Sequence, residues 1–247
     1  MLESIVPTLI GVGLLVAITA AVLWVVGVPG KWAPGWAILR AALQLAVIAL
    51  VLRDVIQDGR WVAIWLSVMF AVAAYTVARR LGFSWQRLGL VVVAMLTGIT
   101  PALAIAFGTG ALTASPRYVL ALGGIVIGGA MTIATLAGRR LLTAQRDRWD
   151  EVEGWLAIGA TPRQANLAIA REAVAEALLP TIDQTRTTGL VTLPGSFVGA
   201  IFGGASPVDA GRFQLVVLSA VLAAGAVTAI VLLFALPPAL RRPDAAG

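Results

Sequence analysis

The sequence predicts an all-α, polytopic integral membrane protein with about seven transmembrane helices of roughly 20 residues each. Three observations carry that prediction. First, 60% of the residues are hydrophobic and only 12% are charged, about half the charged share of an ordinary soluble domain. Second, the mean hydropathy is +0.94. Third, long apolar runs alternate with short charged clusters and Gly/Pro turns. The runs lack the strict alternation of a membrane barrel, so helices are left to satisfy the backbone inside lipid.

The first span is expected from about Ile5 to Val28. Only Glu3 precedes it as a charge, with no basic leader, so it reads as a retained helix rather than a signal peptide. Pro29 to Gly35 is a turn-rich break. The second span runs from about Trp36 to Leu52 and carries Arg40 and Gln44. A charge-balanced loop of Arg53, Asp54, Asp58 and Arg60 leads to a third span, Trp61 to Ala78, closed by Arg79-Arg80. The fourth, Leu88 to Phe107, contains Pro101 as an expected kink. The fifth covers Tyr118 to Ala137 and ends at Arg139-Arg140. A polar segment then extends to about Arg186. The sixth span, Thr188 to Gly204, is short and interrupted by Pro194-Gly195. The seventh runs from Phe213 to Leu236, before Pro237-Pro238 and Arg241-Arg242.

Orientation follows from the basic residues. With the N-terminus outside and the C-terminus cytoplasmic, fourteen of the eighteen Lys and Arg residues fall on the cytoplasmic side. Only Arg53, Arg60, Arg117 and Arg212 fall outside. This places the polar segment, about 139–186, in the cytoplasm as a hairpin of a single membrane domain covering 1–247. Most of the tryptophans sit near span ends, as interfacial anchors do.

The absences exclude whole classes of chemistry. With no His and no Cys, there is no His-based triad, no thiol nucleophile and no thiolate or imidazole metal site. The single lysine, Lys31, is followed by Trp32, so a Walker-type phosphate loop is impossible. The chain is therefore read as a non-enzyme that binds no cofactor, and any ATP-Mg belongs to another subunit. The net charge of +6 is explained by membrane topology, so no nucleic-acid partner is expected.

The polar segment reads as a helix, a glycine turn and a second helix. Gly159 is placed to end the first as a C-terminal cap. Thr161 and Pro162 restart the chain with a capping hydroxyl and a proline at the first helical position. Ala165, Ala168, Ile169, Glu172 and Glu176 are expected on one stripe of the second helix.

Glu151, Leu156, Gly159-Ala160-Thr161 and Gln164-Ala165 resemble the cytoplasmic coupling loop of ABC-transporter membrane subunits. Three further stretches resemble the iron-export ABC permease family of bacteria, whose plant homologues are linked to aluminium tolerance. These are Pro180-Thr181-Ile182-Asp183, then Gly189-Leu190-Val191 with Leu193-Pro194-Gly195 and Gly199, and Arg40-Ala41 with Gln44-Leu45. The resemblance covers most of the chain and is densest from Ile158 to Asp209. Where that family often carries methionines after Leu-Pro-Gly, this chain has Ser196-Phe197.

The resemblance implies a permease subunit in the cell (plasma or inner) membrane that exports metal ions such as iron. It implies an ABC ATPase partner, docked on Glu151, Gly159, Ala160, Thr161, Pro162, Arg163 and Gln164, and a permease homodimer. A secondary carrier or channel for a cation, with no ATPase, is the alternative.

Several residues are candidates for the substrate pathway. Arg40 either snorkels to the headgroups or packs inward with Gln44, where Asp183 is its natural acidic partner. Asp183 either caps or pairs locally with Arg186, or supplies a hard oxygen ligand, with Glu172 and Glu176 adding further oxygens. Pro194-Gly195 is either a packing kink or a break that frees carbonyls to a transport path. The Gly195, Gly199 and Gly203 stripe, like Gly124 with Gly128, reads as close helix packing within or between chains.

Overall fold

The computed structural model describes residues 2–55 and 58–236, with the side chains of 6–50 and 58–236. Pro237-Pro238, Arg241-Arg242 and the Arg53 and Asp54 side chains lie outside these described residues. The secondary structure is helical, apart from an isolated bridge between Thr188 and Thr192. The helices are α1 Leu2–Val25, α2 Ala33–Val55, α3 Gly59–Arg80, α4 Trp85–Gly108, α5 Pro116–Asp147, α6 Trp149–Ala157, α7 Pro162–Thr187, α8 Gly195–Phe202 and α9 Pro207–Ala235. Among the described residues six helices, α1 to α5 and α9, are long and apolar enough to cross a membrane.

By its contacts the chain divides into two units, Met1–Gln57 and Asp58–Gly247. The first is a helical hairpin. Its turn uses Gly27 and Gly30 at φ of 73° and 81°, a conformation that only glycine adopts without strain. Gly35 rests against Val16, and the Lys31 ammonium lies 5.9 Å from the Trp24 ring centroid.

The second unit is a bundle whose closest approaches are made at glycines. Gly123 lies against Leu66, Gly124 against Met69 and Gly138 against Leu81, which joins α5 to α3. Gly129 against Val221 and Gly225 against Ile133 join α5 to α9, and Gly98 against Thr228 joins α4 to α9. A missing side chain lets two helices approach where lipid gives no hydrophobic incentive to do so.

These contacts also fix direction. Leu66 of α3 and Leu81, its C-cap, meet 123 and 138 of α5, so the two helices run parallel. Tyr118 stacks near Phe213 at 5.5 Å, and 129 and 133 meet 221 and 225, so α9 runs parallel to both. The C-terminal ends of α3, α5 and α9 therefore share one end of the bundle, which is basic. Arg79 and Arg80 close α3, and Arg139, Arg140 and Arg146 occupy the end of α5. Arg87, on the first turn of α4, donates hydrogen bonds to the Leu81 and Gly82 carbonyls at 2.6 Å each. The far end carries Arg60, Arg117 and Arg212, with Asp58 capping the start of α3 and Ser206, hydrogen-bonded to Asp209, capping the start of α9.

One element differs from its sequence expectation. Thr188 to Gly204 is not a spanning helix. It consists of a turn, with Gly189 at φ 87°, and the eight-residue α8, about 12 Å long. Pro194 does not break a span. It is the N-cap of α8, and its carbonyl accepts from the Val198 amide at 3.1 Å. Pro180 likewise leaves α7 helical through to Thr187, and Pro101 leaves α4 helical through to Gly108.

Because α5 and α9 are parallel, the chain must travel the length of the bundle between them. α7 does so. Its start lies at the basic end, where Arg163, Asn166 and Ala170 border the same pocket as Leu233 and Leu236. Its exit lies toward the far end, where Thr188 and Gly189 border a cleft with Gly211, Gln214 and Leu218 of α9. The polar α7 thus makes the traverse that the sequence assigned to Thr188–Gly204, and Arg186 lies well away from the basic end.

Candidate coupling and transport site

The hairpin at the basic end is built from local rules. α5 is 32 residues long, about 48 Å, so it outruns a hydrocarbon core of about 30 Å. Its last turns stand proud of the bundle. The chain bends at Arg148, whose φ of −110° and ψ of 32° leave the helical region. α6 then runs nine residues and ends in a Schellman motif. The Gly159 amide donates to the Leu156 carbonyl at 3.0 Å, and the Ala160 amide to the Trp155 carbonyl at 3.0 Å. Gly159 holds φ 92°, the left-handed conformation this motif requires. Thr161 and Gln164 form a full capping box, with the Thr161 amide donating to Gln164 Oε1 at 2.8 Å. Pro162 takes the first helical position of α7.

The hairpin is locked onto α5. Gln145 Nε2 donates to Asn166 Oδ1 at 2.9 Å, and Asn166 Nδ2 donates to the Pro162 carbonyl at 2.8 Å. Both amides are buried, where a satisfied pair specifies one docking geometry and an unsatisfied one is costly. Around them Val152, Ala165, Ile169 and Ala173 pack on Ile133, Ala137, Leu141 and Leu233.

Arg148 is the polar hinge pin. Its Nε and NH2 groups bind Glu151 at 2.8 and 2.7 Å, and its NH1 binds Glu172. The Glu151 hydrogen bond, then that of Glu172, raises the guanidinium pKa further above its ordinary value. One cation thereby ties the bend, α6 and α7 together. Arg140 adds a second tie to Glu176 at 3.3 Å.

The expected site residues now have places. Gly159, Thr161, Arg163 and Gln164 are exposed at the hairpin tip, Ala160 and Pro162 are half-buried there, and Glu151 turns back to Arg148. Trp155 and Ile158, at 49% and 75% exposure, add an apolar surface to that tip. The expected α7 stripe divides: Ala165 and Ile169 are buried, whereas Ala168, Glu172 and Glu176 are exposed. The buried face turns instead through Ala170, Ala173 and Ala177. Pairing with α5 selects that face, because Arg140 and Arg148 draw the two glutamates outward.

The acidic metal-ligand candidates are not brought together. Glu172 is on Arg148, Glu176 on Arg140 and Asp183 on Arg186 at 3.3 Å. No group of three or more acidic residues gathers among the described residues. Arg40 and Gln44 are exposed one turn apart on α2 in the first unit. Gly195 and Gly199 have open space where a Cβ would stand.

Sequence reasoning missed Arg148, Gln145 and Asn166. Arg148 looked like one basic residue among several. Only the Glu151 spacing of three residues hinted at its role. Ser196 and Gln214, which share a hydrogen bond of 2.5 Å between α8 and α9, were also missed.

Comparison with known proteins adds the lineage. The family described as "Uncharacterised protein family (UPF0014)" matches residues 6–239. The chain is similar to the UPF0014 membrane protein STAR2 of Oryza sativa subsp. japonica, with 34% identity covering 79% of this chain and 69% of that protein. It is similar to the protein ALUMINUM SENSITIVE 3 of Arabidopsis thaliana, 32% identical over 79% of this chain and 72% of that one. It is also similar to the probable iron export permease protein FetB of Escherichia coli, 29% identical over 79% of this chain and 76% of that one. No solved structure matches.

Proposed function

The chain belongs to the UPF0014 family of multi-pass membrane proteins, and on that premise we propose that it is the permease subunit of an ABC transporter that exports a metal ion such as iron. The basic end of the bundle faces the cytoplasm, with the N-terminus outside, the C-terminus inside and the host membrane the plasma or inner membrane. A separate ATPase binds ATP-Mg and docks on the hairpin tip. Two copies of the permease form the pathway.

The observation that carries this reading is the hairpin itself. It presents Trp155, Ile158 and Arg163 outward while the buried Gln145–Asn166 pair and the Arg148 clamp hold its base. A projecting tip on a stiff base can hand force to the bundle. α7 then carries that force along continuous helix from Pro162 to Thr187. Iron and export are supported by the printed description of the E. coli relative. The oxygen-rich composition, without His or Cys, suits hard cations.

The test is co-purification from native membranes with an affinity tag on this chain. An ATPase subunit is expected to co-elute, and Ile158→Asp is expected to reduce its retention at least tenfold without changing the gel-filtration profile. Ile158 is the right probe because Gly159 cannot be changed without straining the turn. Absence of any ATPase, together with transport driven by an ion gradient, supports a carrier and sinks the permease reading. Unchanged retention with Ile158→Asp removes the docking role of the tip.

A further inference from the structure

The second half of α7 crosses the interior depth of the bundle with the composition of a surface loop. Ala170 lies beside Leu233 at the basic end, and Thr188 lies beside Gly211 and Leu218 toward the other. The eighteen residue steps from one to the other rise about 27 Å, nearly the whole hydrocarbon thickness of about 30 Å. Thr181 to Thr188 therefore occupies the middle and outer part of that depth. Seven of its eight residues are polar, Ile182 being the exception. Asp183 and Arg186 keep 62% and 72% of their side-chain surface exposed. Charged groups at this depth face water-filled cavities or protein, not lipid.

Oxygen acceptors dominate this stretch, with Arg186 as its one cation, held by Asp183 at 3.3 Å. Thr185 donates its hydroxyl to the Thr181 carbonyl at 2.8 Å, Thr187 to the Asp183 carbonyl at 3.0 Å and Thr188 to the Gln184 carbonyl at 2.7 Å. With each hydroxyl hydrogen committed to the backbone, its oxygen turns lone pairs outward. The Asp183 carboxylate and the exposed Gln184 amide add further oxygens. Beyond Thr188 the stretch borders a cleft of about 300 Å³, where Gln214 is the other polar side chain among Leu193, Phe197, Leu215 and Leu218. Gln214 is only 5% exposed, and its Oε1 accepts from Ser196.

We propose that the Thr181–Thr188 stretch of α7, continued by the Ser196–Gln214 pair, is the water-lined wall along which a hydrated cation moves. The inference deepens the permease reading and rests on it for the direction of movement. It relocates the pathway from the Pro194 break to the polar traverse. The hydroxyl oxygens replace part of the ion's hydration shell in passing and hold it weakly enough for release.

The absence of cysteine makes the test direct, because each introduced thiol is the only one. Thr181→Cys, Gln184→Cys and Thr188→Cys are compared with Ile105→Cys on α4. Ile105 is 65% exposed and stands about 10 Å beyond Gly98 toward the far end. Ile105 thus reports an exposed apolar position at similar depth. Labelling by charged, water-soluble methanethiosulfonates is measured in reconstituted vesicles. The three α7 thiols are expected to react at least tenfold faster than Ile105→Cys. The cationic reagent should outpace the anionic one after each rate is normalised to a free thiol in solution.

Rates as slow as at Ile105→Cys overturn the wall, and a preference for the anionic reagent overturns its cation character. The Thr→Cys changes are nearly isosteric, so gel filtration at wild-type position is expected for at least those two. ATPase co-purification is scored on the same preparations. Retained ATPase without labelling removes the wall and leaves the permease reading. Labelling without any ATPase leaves the wall and removes the permease reading.

Discussion

The two halves of α7 share one continuous helix and obey opposite rules. From Pro162 to Ala177 the helix is amphipathic, with Ala165, Ile169, Ala173 and Ala177 buried and Glu172 and Glu176 tied to arginines of the α5 end. From Leu178 to Thr187 no residue is fully buried, and its ion pair is internal, between Asp183 and Arg186. The first half is held in one place by packing and a buried amide pair. The second half is held by its own backbone, by partial packing at Leu178 and by its connection to the first. A helix that is packed at one end and largely exposed at the other can transmit a tilt without unpacking a core. On the permease reading proposed above, docking falls to one half and passage to the other.

The sharpest way to break this comparison is an apolar truncation in each half. Ile169→Ala is expected to cost about 2–4 kcal/mol, read as a fall in thermal stability in detergent. Ile182→Ala is expected to cost less than about 1 kcal/mol, in line with its half-buried position. Equal losses would mean that the second half is packed as tightly as the first.

A smaller effect tests the polar lock. Asn166→Leu leaves the Gln145 amide unpaired and is expected to cost about 1–3 kcal/mol. The double variant Gln145→Leu/Asn166→Leu should recover part of that loss in the same thermal assay. If it recovers nothing, the pair contributes only through shape.

Asp183→Asn separates stability from function. Its pair with Arg186 is exposed, so the stability change is expected to be under about 1 kcal/mol. On the proposed permease reading, cation transport in reconstituted vesicles is expected to fall tenfold or more. Unimpaired transport would detach Asp183 from the pathway. The smallest effect is expected for Glu176→Gln. Its 3.3 Å pair with Arg140 is largely exposed, and the change should cost at most about 0.5–1 kcal/mol, vanishing at high salt.

Much of the architecture was legible because lipid imposes a simple code. Apolar runs of bilayer length identified α1 to α5 and α9 to within a few residues at most ends. The Gly159 cap and the Thr161 start were legible because Schellman turns and capping boxes are local motifs, decided by neighbours in sequence. The helix expected to carry the chain out of the membrane after Ala137 is there, as the last turns of α5 to Asp147, but its bend at Arg148 was not legible, because it is fixed by ion pairs to Glu151 and Glu172. The traverse by α7 was not legible. Its residues are too polar to be counted as a span, and Pro194 marked a break in a span where it instead starts α8. The Glu172 and Glu176 oxygens looked available for a metal until Arg148 and Arg140 were seen to face them.

By itself, then, the sequence determined that this is a helical membrane protein with a capped polar hairpin after its fifth long helix. Those properties follow from composition, hydropathy and short-range hydrogen bonding, which need no partner distant in the chain. Only the tertiary structure decided that α3, α5 and α9 run parallel, that α7 must therefore cross back between them, and which face of α7 is buried. Those outcomes depend on glycines meeting side chains dozens of residues away, as Gly98 meets Thr228, and on arginines choosing among several acids. Helix direction and ion pairing are settled by three-dimensional proximity, which a one-dimensional pattern does not contain.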